Sequence, residues 1–258
     1  MPTLSVLILA CNEEKNIADA IASVRFADEI LVIDSGSRDR TAEIARAAGA
    51  CVISHPMGAD GFAGQRMFAQ AQATGDWIFY LDADERVLPE LAASIRAHIE
   101  QGVGAAGRMC RKSVVMGQRM GYGVYAPDKA LRLFPRGSVT WQGVVHERPE
   151  TTLPIQDLAG WCDHHCLTSW GQYFRKFDQY TTLMAERMHE NGRHVGFFAM
   201  YAHAVYAFVH MYIFRRGFLD GRLGLTFCTY HFFYTLTKYV KLAERWRAQT
   251  TDEKETSV

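Results

Sequence analysis

The chain has 258 residues, of which 48% are apolar, with 28 Lys and Arg against 28 Asp and Glu. This composition excludes a disordered chain, and the balanced charge argues against binding to a nucleic-acid polymer. The charge is nevertheless uneven along the chain: residues 170–247 carry 11 Lys and Arg and 5 Asp and Glu, which leaves 17 and 23 for the rest. Such asymmetry predicts that the basic part meets an anionic surface.

The first hundred residues alternate strand and helix patterns. Apolar runs predict strands at residues 6–10, 29–33, 51–53 and 77–81, and helical spacing predicts helices at 14–24, 40–48, 64–73 and 89–100. This alternation is typical of βαβ units, so we expect an α/β fold with a mostly parallel sheet flanked by helices. Such sheets bind ligands beyond the carboxyl ends of their strands.

Polar and acidic residues follow three of the predicted strands. The stretches are "NEE" from Asn12, "DSGSRD" from Asp34 and "DADE" from Asp82. Asn12, Ser37 and Asp39 could instead be helix N-caps. Three acidic stretches at one sheet edge repel one another unless a cation or hydrogen-bond donors compensate them. An Asp-x-Asp pair directly after an apolar strand therefore predicts a Mg²⁺ or Mn²⁺ site that also holds a diphosphate.

Four stretches resemble the family 2 glycosyltransferases, whose Rossmann-like nucleotide-sugar-binding fold is called GT-A. They are "SVLILACNEEKNI", "ILVIDSGSRDRTAEIA", "GQRMFAQAQATGDWIFYLDADERV" and "WQGVVHE", which cover about residues 3–147. The resemblance implies an inverting, metal-dependent hexosyltransferase that uses a UDP-sugar. A sugar nucleotidylyltransferase of similar fold is disfavoured, because it needs a glycine-rich loop after the first strand and "ACNEEKNIA" contains no glycine.

The resemblance also implies roles for individual residues. Asp34 would read the base, and Asp84 would be the direct metal ligand. The residues implied to bind the nucleotide sugar are Asn12, Glu13, Asp34, Arg66, Asp82 and Ala83.

Transfer from a nucleoside diphosphate needs one general base, which takes the proton of the acceptor hydroxyl. Glu147 in "WQGVVHE" is the predicted base, and a structural carboxylate paired with an arginine such as Arg148 is the alternative. Arg132 and His146 are candidates for contact with the acceptor or a phosphate, unless they face solvent or pack beside the site. Trp141 is a candidate for stacking on a sugar or for the core.

The last third of the chain predicts helices. Residues 195–214 contain no Asp, Glu, Lys or Arg and could just span a bilayer. The following Arg215, Arg216 and Arg222 would lie on the wrong side for a spanning hairpin under the positive-inside rule. We therefore expect peripheral attachment to a membrane surface, with a buried core, a homo-oligomer interface or a true span as alternatives. The expected domains are a catalytic domain at 1–165, a helical extension at 166–248 and a disordered tail at 249–258.

Three phrases in this part resemble the bacterial lipopolysaccharide core β-1,4-glucosyltransferases: "YFRKFDQYTTLMAE", "FRRGFLDGRLGL" and "KYVKL". This resemblance implies UDP-glucose as donor and a lipid-linked glycan acceptor, such as the heptose of the inner core. It also implies a peripheral location on the cytoplasmic face of the inner membrane. A polyprenyl phosphate or protein acceptor is one alternative. A non-catalytic glycan-binding or scaffold protein of the same fold is an alternative of another class.

The stretch "CDHHC" from Cys162 to Cys166 imitates the signature of protein S-acyltransferases. No cysteine-rich zinc domain accompanies it, and two cysteines with one histidine lack the usual spacing of a zinc site. Family resemblance places one histidine ahead of the "YFRKFDQY" helix, at His164, as a second metal or diphosphate ligand. His165 and the two cysteines are expected to be bystanders. With no export signal, we expect all six cysteines to be reduced in a cytoplasmic protein.

Overall fold

The computed structural model describes residues 1–102, 104–143 and 147–255, with side chains described up to residue 249. The chain forms two compact units. The first comprises Met1–Lys112 and Asp128–Cys166, and the second comprises Ser113–Pro127 and the chain from Leu167 onward. The domain boundaries that the sequence suggests stay predictions.

Parallel strands form one half of the sheet in the first unit. They are β1 (Leu4–Ala10), β2 (Glu29–Asp34), β3 (Cys51–Ser54) and β4 (Trp77–Asp82), in the order β3-β2-β1-β4. The predicted strands are confirmed, each extended by one or two residues. Every residue of β1 is buried, as expected for a strand covered on both faces.

Antiparallel strands continue the sheet beyond β4. They are β5 (Glu85–Val87), β6 (Ala106–Val115), β8 (Asp128–Pro135) and β11 (Ile155–Leu167), and the order continues as β4-β8-β6-β11-β5. The short β7 (Gln118–Arg119) pairs with β6, and β9 (Thr140–Gln142) pairs with β10 (Arg148–Glu150). Apart from residues 131–134, where Arg132 alternates with apolar residues and indicated a strand, the sequence did not assign these strands, because charged residues interrupt their apolar patterns.

Four helices cover the two faces of the parallel strands. They are α1 (Ile17–Ser23), α2 (Thr41–Ala47), α3 (Gly61–Gln72) and α4 (Pro89–Glu100). Neighbouring side chains of a strand point to opposite faces, so β1 contributes Leu4, Val6 and Ile8 to one apolar cluster. Leu7 and Leu9 belong to the cluster on the other face. Helices α1, α2 and α4 pack on the first face and α3 on the second.

The second unit is largely helical. Its helices are α5 (Trp170–Glu190), α6 (Phe197–Val209), which continues as a π-helical turn (His210–Phe214), a 3-10 turn (Gly217–Asp220) and α7 (Gly221–Glu255). Ser169 caps α5, because its hydroxyl accepts the Gln172 N–H at 3.2 Å. Helix α7 includes residues 249–255, which the sequence analysis assigned to a disordered tail. The expected α/β class with a C-terminal helical extension is confirmed.

One helix in the described part of the chain is apolar and long enough to cross a membrane, judged by length and composition alone. It runs from Phe197 to Phe214, with a mean hydropathy of 1.4, and 11% of it is buried. Phe198 is 86% exposed and Phe214 is 70% exposed. Such low burial does not fit the alternative of a buried core helix within this unit.

Candidate functional site

The carboxyl ends of β1, β2 and β4 lie side by side at one edge of the parallel sheet. Ala10 pairs with Asp34, and Leu9 pairs with Asp82. The polar stretches that follow these strands therefore lie together, at the edge where α/β sheets bind ligands.

Asn12 holds the loop after β1 against the loop after β2. Its backbone is left-handed, with φ of 57°, a conformation that Asn tolerates better than most residues. Its N–H donates to Ser37 Oγ at 2.9 Å, and its Oδ1 accepts the Arg38 N–H at 2.9 Å. The buried Asp34 accepts the Ser37 N–H at 3.3 Å. Ser37 therefore connects Asn12 with Asp34.

Ser37 and Asp39 are not N-caps of α2. Helix α2 begins at Thr41 after Arg40, and within the described residues Arg40 makes no side-chain capping hydrogen bond. Asp39 Oδ2 instead accepts the Glu14 N–H at 3.1 Å, and Asp39 Oδ1 accepts the Thr41 N–H at 3.0 Å. These side chains join the two loops at the sheet edge.

Glu13 lies in the loop after β1, half-buried. Its N–H donates to Thr41 Oγ1 at 2.7 Å, and its Oε2 accepts Asn16 Nδ2 at 2.7 Å. Burial raises the pKa of Glu13, and the charge of Asp84 raises it further against the effect of the Asn16 hydrogen bond.

Asp82, at the end of β4, lies between two arginines. Arg66 Nη2 donates to Oδ1 at 2.8 Å, and Arg132 Nη2 donates to Oδ2 at 2.7 Å. Burial raises the pKa of Asp82, but the two guanidinium groups outweigh this effect and hold the pKa well below its usual range. Asp82 therefore stays ionised, and both of its oxygens accept hydrogen bonds from the protein.

These three residues belong to a longer series of alternating charges, which we call the charge chain. In order, it consists of Glu147, Arg66, Asp82, Arg132, Glu85, Arg111 and Asp128. Glu147 Oε1 lies 3.2 Å from Arg66 Nη2 at one end. Towards the other end, Arg111 Nη1 lies 3.1 Å from Glu85 Oε1, and Arg111 Nη2 lies 2.5 Å from Asp128 Oδ2. Pairing of this kind is what allows charged side chains to be buried.

Arg66 is 2% exposed, and two aromatic rings face its guanidinium. Its Cζ lies 4.7 Å from the ring centre of Trp141 and 5.7 Å from that of Tyr80, within the range of cation–π contacts. Trp141 is thus a core residue that packs on Arg66. Arg66 Nη1 is buried and has no hydrogen-bond partner among the described residues. An unpaired guanidinium N–H of this kind fits an anionic group such as a diphosphate.

Asp84 and His164 form a separate polar pair. Strand β11 pairs antiparallel with β5, so that His164 lies opposite Glu85, and the His165 N–H donates to the Asp84 carbonyl oxygen at 2.8 Å. This register places His164 Nε2 3.3 Å from Asp84 Oδ2. Burial lowers the pKa of His164, but the hydrogen bond to Asp84 and its charge outweigh burial and raise the pKa above its usual value.

The Asp84 carboxylate and the His164 imidazole fit a divalent cation. In the part of the chain that the structure describes, no three or more His, Cys, Asp or Glu side chains form a metal-binding group. Mg²⁺ at nucleotide sites is commonly held by one or two protein carboxylates, with substrate phosphates and water completing the shell. The same oxygen ligands suit Mn²⁺, for which imidazole is also an acceptable ligand. Asp84 and His164 would supply two protein ligands of such a shell.

The cysteines that flank the two histidines lie on β11 and are not joined in a disulfide. Burial raises the pKa of the Cys162 thiol, which makes it a poor metal ligand and nucleophile. Cys166 is likewise a thiol and not part of a disulfide. The structure therefore offers no support for the zinc or S-acyltransferase interpretations of this stretch.

Arg132, His146 and Glu147 are the remaining predicted site residues. Arg132 is 6% exposed, so it does not face solvent. His146 lies outside the described residues. Glu147 pairs with Arg66, 81 positions away, rather than with its neighbour Arg148.

Arg86 and Arg111 were not recognised in the sequence, and Glu85 was recognised only as part of an acidic stretch. Glu85 is fully buried, and burial together with the charge of Asp82 raises its pKa. Its Oε2 accepts the Asp82 N–H at 3.0 Å. One sequence signal could have identified Glu85 and Arg86. They follow the Asp-x-Asp stretch directly and begin a strand, where adjacent charged residues are unusual.

Comparison with known proteins finds a match to one family model over most of the chain. The model of "Glycosyl transferase family 2" matches residues 5–233. A glycosyltransferase of Rickettsia typhi is 29% identical over 259 residues, which cover 95% of this chain and 88% of the relative. The lipopolysaccharide core biosynthesis glycosyltransferase LpsC of Rhizobium meliloti is 30% identical over 241 residues, which cover 86% of this chain and 84% of LpsC.

Among solved structures, this chain is similar to glucosyl-3-phosphoglycerate synthase from Mycobacterium tuberculosis in complex with Mn²⁺, UDP-glucose and phosphoglyceric acid. The match has 29% identity and a TM-score of 0.37, and it covers 45% of each chain. The chain thus spans less than half the length of that structure.

Proposed function

The chain belongs to glycosyl transferase family 2, and from this premise we propose that it transfers glucose from UDP-glucose to a lipid-linked glycan acceptor of the lipopolysaccharide core. LpsC, which aligns over most of both chains, is named for lipopolysaccharide core biosynthesis and supports this acceptor class. The observation that carries the proposal is the pair of Asp84 with His164. Asp84 directly precedes Glu85, a member of the charge chain that also contains Glu147.

In this proposal Asp84 and His164 hold a Mg²⁺ or Mn²⁺ ion together with the donor diphosphate. A cation held there would supply Lewis-acid neutralisation of the leaving diphosphate. Arg66 adds positive charge through its buried Nη1, which donates no hydrogen bond to any described residue. The 3.3 Å separation between Asp84 and His164 supports this assignment, since one small cation can bind both groups.

The loops after β1 and β2 bind the nucleoside. Asn12 and Glu13 hold the nucleoside, and Asp34 reads the base. The hydrogen bonds through Ser37 support this assignment, because they keep Asn12 and Asp34 on adjacent loops at the same sheet edge. Ala83 lies between the two aspartates, where its backbone can approach the donor sugar.

Glu147 is the proposed base of an inverting displacement. The hydrogen bonds described for Glu147 join its Oε1 to Arg66, which leaves Oε2 for the acceptor hydroxyl. As the hydroxyl oxygen bonds to C1 of the sugar, the bond from C1 to the diphosphate oxygen breaks. The hydroxyl proton moves to Glu147 Oε2. Arg132 holds Asp82 in place, and His146 is a candidate for contact with the acceptor.

We place the enzyme on the cytoplasmic face of the inner membrane, attached peripherally through the second unit. The low burial of residues 197–214 supports attachment through α6, because apolar side chains such as Phe198 are available to lipid. The exposed Arg215 and Arg216 follow directly and suit anionic headgroups.

Donor binding and transfer are tested with the purified protein and a panel of UDP-sugars, in Mn²⁺ and in EDTA. We expect UDP-glucose to raise the melting temperature more in Mn²⁺ than in EDTA, because ligand that binds the folded state stabilises it. Asp84→Ala should abolish this metal-dependent part of the shift and the turnover. Glu147→Gln should keep the shift and lose transfer, because it removes the base and leaves the metal ligands intact.

Two results would contradict the proposal. Absence of metal-dependent binding for every UDP-sugar would rule out the donor chemistry and favour a scaffold protein. Transfer to a polyprenyl phosphate or a protein, with none to a lipopolysaccharide core acceptor, would contradict the proposed acceptor class and leave the proposed donor unchanged.

A further inference from the structure

Arg86 joins two loops of the candidate site. Its Nη1 donates to the carbonyl oxygens of Ala83 at 2.9 Å and Glu85 at 2.8 Å. Its Nη2 donates to the carbonyl oxygen of Asn16 at 2.8 Å. The side chain is 12% exposed. One planar guanidinium therefore connects the turn at the end of β4 with the loop at the end of β1.

Each loop carries a different part of the proposed donor site. On one side, Asn16 Nδ2 donates to Glu13 Oε2 at 2.7 Å, so the contact of Arg86 with Asn16 leads directly to a nucleoside residue. On the other side, Ala83 immediately precedes Asp84, which pairs with His164.

The backbone ladder does not by itself set the distance between these loops. The pairing of β1 with β4 ends at Leu9 and Asp82, before the loop after β1 begins and at the first residue of the turn after β4. Beyond that point the distance depends on contacts between the loops. Arg86 makes two hydrogen bonds to carbonyl oxygens of its own turn and one across the gap, to the Asn16 carbonyl oxygen.

We propose that Arg86 is a positioning residue that sets the distance between the nucleoside loop (residues 12–16) and the metal turn (residues 82–85). This inference rests on the proposed function, since it requires a nucleoside diphosphate and a cation that together span the two loops. Arg86 acts through the backbone of Asn16 and Ala83 and does not touch the reacting atoms. A ligand that spans both loops loses affinity without Arg86, whereas a ligand held by the nucleoside loop alone does not.

The test compares UDP binding in Mn²⁺ with UDP binding in EDTA, by titration calorimetry. UDP with Mn²⁺ engages both loops, and UDP in EDTA engages the nucleoside loop without the metal. The dissociation constant in EDTA divided by that in Mn²⁺ measures how much the metal strengthens UDP binding. In Arg86→Met we expect this ratio to fall about tenfold, the equivalent of about 1.4 kcal/mol, while the dissociation constant in EDTA changes less than about twofold.

Arg96→Met is the matched control. Arg96 on α4 also bridges segments, because its Nε donates to the Phe26 carbonyl oxygen at 3.0 Å and its Nη1 donates to Asp28 Oδ2 at 3.0 Å. These contacts lie before β2, at the end of that strand away from the site. Arg96→Met should lower the melting temperature and leave the ratio unchanged.

The outcomes separate the inference from the function on which it rests. If the unmodified protein binds no UDP in Mn²⁺, the proposed function fails. If it binds UDP and Arg86→Met keeps the full ratio, or Arg96→Met loses it equally, the role of Arg86 is overturned and the function stands. Should Arg86→Met not fold, Arg86→Lys replaces it. A lysine ammonium cannot reach carbonyl groups on both loops with guanidinium geometry, so the ratio should still fall severalfold.

Discussion

At the scale of single residues, Arg66 connects the candidate base Glu147 to the rest of the charge chain. It contacts both Asp82 and Glu147, and its own side chain is 2% exposed. The chemistry proposed for Glu147 therefore requires a guanidinium that is held in place on its other sides. Asp82 and the rings of Trp141 and Tyr80 supply that support.

We predict that Arg66→Met lowers the free energy of unfolding by about 3 kcal/mol, because removal of one partner leaves buried charge uncompensated. The measurement is urea unfolding at neutral pH. Arg40→Met is the control: its pair with Glu43 is exposed on both sides, and such pairs contribute little to stability. Equal losses in the two variants would show that burial of Arg66 does not matter.

At the scale of elements, β11 carries His164 to Asp84, and its approach to α4 depends on Gly160. Gly160 has φ of 79°, and a Cβ there would lie 2.5 Å from the Leu91 nitrogen on α4. Because β11 pairs with β5 only a few residues later, its path past α4 sets the register at His164.

Gly160→Ala should therefore be more destabilising than an alanine placed at another left-handed glycine. Gly137 has φ of 81°, and a Cβ there would have no atom within 4 Å, so Gly137→Ala isolates the cost of backbone conformation, about 1–2 kcal/mol. Overpacking should add about 1–3 kcal/mol in Gly160→Ala. Urea unfolding of both variants measures the difference, and equal midpoints would contradict the close approach.

The opposite end of the parallel strands is held by carboxylates. Asp28 accepts the Leu4 N–H at 2.8 Å, and Asp76 accepts the Thr3 N–H at 2.9 Å. These hydrogen bonds hold the pKa of each carboxyl below its usual value, with the Leu4 N–H and then Arg96 acting on Asp28, and the backbone and side chain of Thr3 acting on Asp76.

We predict an acid-dependent loss of stability from this end of the sheet. Because the folded pKa values of Asp28 and Asp76 are depressed, their contribution is present above the unfolded pKa, about 3.9, and is lost as the pH falls through the folded values. The midpoint of urea unfolding should fall steeply below about pH 4.

Asp28→Asn and Asp76→Asn should each have a lower midpoint of urea unfolding than the unmodified protein at pH 6. This difference in midpoint should shrink towards pH 2. Asp60→Asn is the control, because Asp60 is exposed at the N-cap of α3 and makes no described capping hydrogen bond. A difference for Asp28→Asn or Asp76→Asn that stays constant with pH would contradict the role of these carboxylates.

At the scale of the whole molecule, net positive charge and exposed apolar side chains both concentrate in the C-terminal part. Residues 170–247 hold 11 basic and 5 acidic residues, and within them lies the helix of which 11% is buried. An apolar face beside basic side chains is typical of proteins that bind at the surface of anionic membranes.

We predict that the protein sediments with vesicles that contain phosphatidylglycerol and much less with neutral phosphatidylcholine vesicles. Replacement of Arg215 and Arg216 by alanine should lower binding by roughly tenfold or more, since each basic residue near the surface contributes about 1 kcal/mol. Phe198→Asp should lower binding even at low salt, whereas Arg40→Ala in the first unit should not. A dimer in light scattering, with no binding to either vesicle, would assign the apolar face to a second copy.

The sequence by itself determined the parallel strands, the polar stretches that follow them and the family. Apolar runs and Asp-x-Asp spacing are local properties, so they can be recognised without knowledge of the fold. The tertiary structure decided which polar groups meet. Arg66 reaches Glu147 across 81 positions, and His164 reaches Asp84 only through the register of β11 on β5. Such contacts depend on strand pairing between distant segments, and no local pattern encodes that pairing.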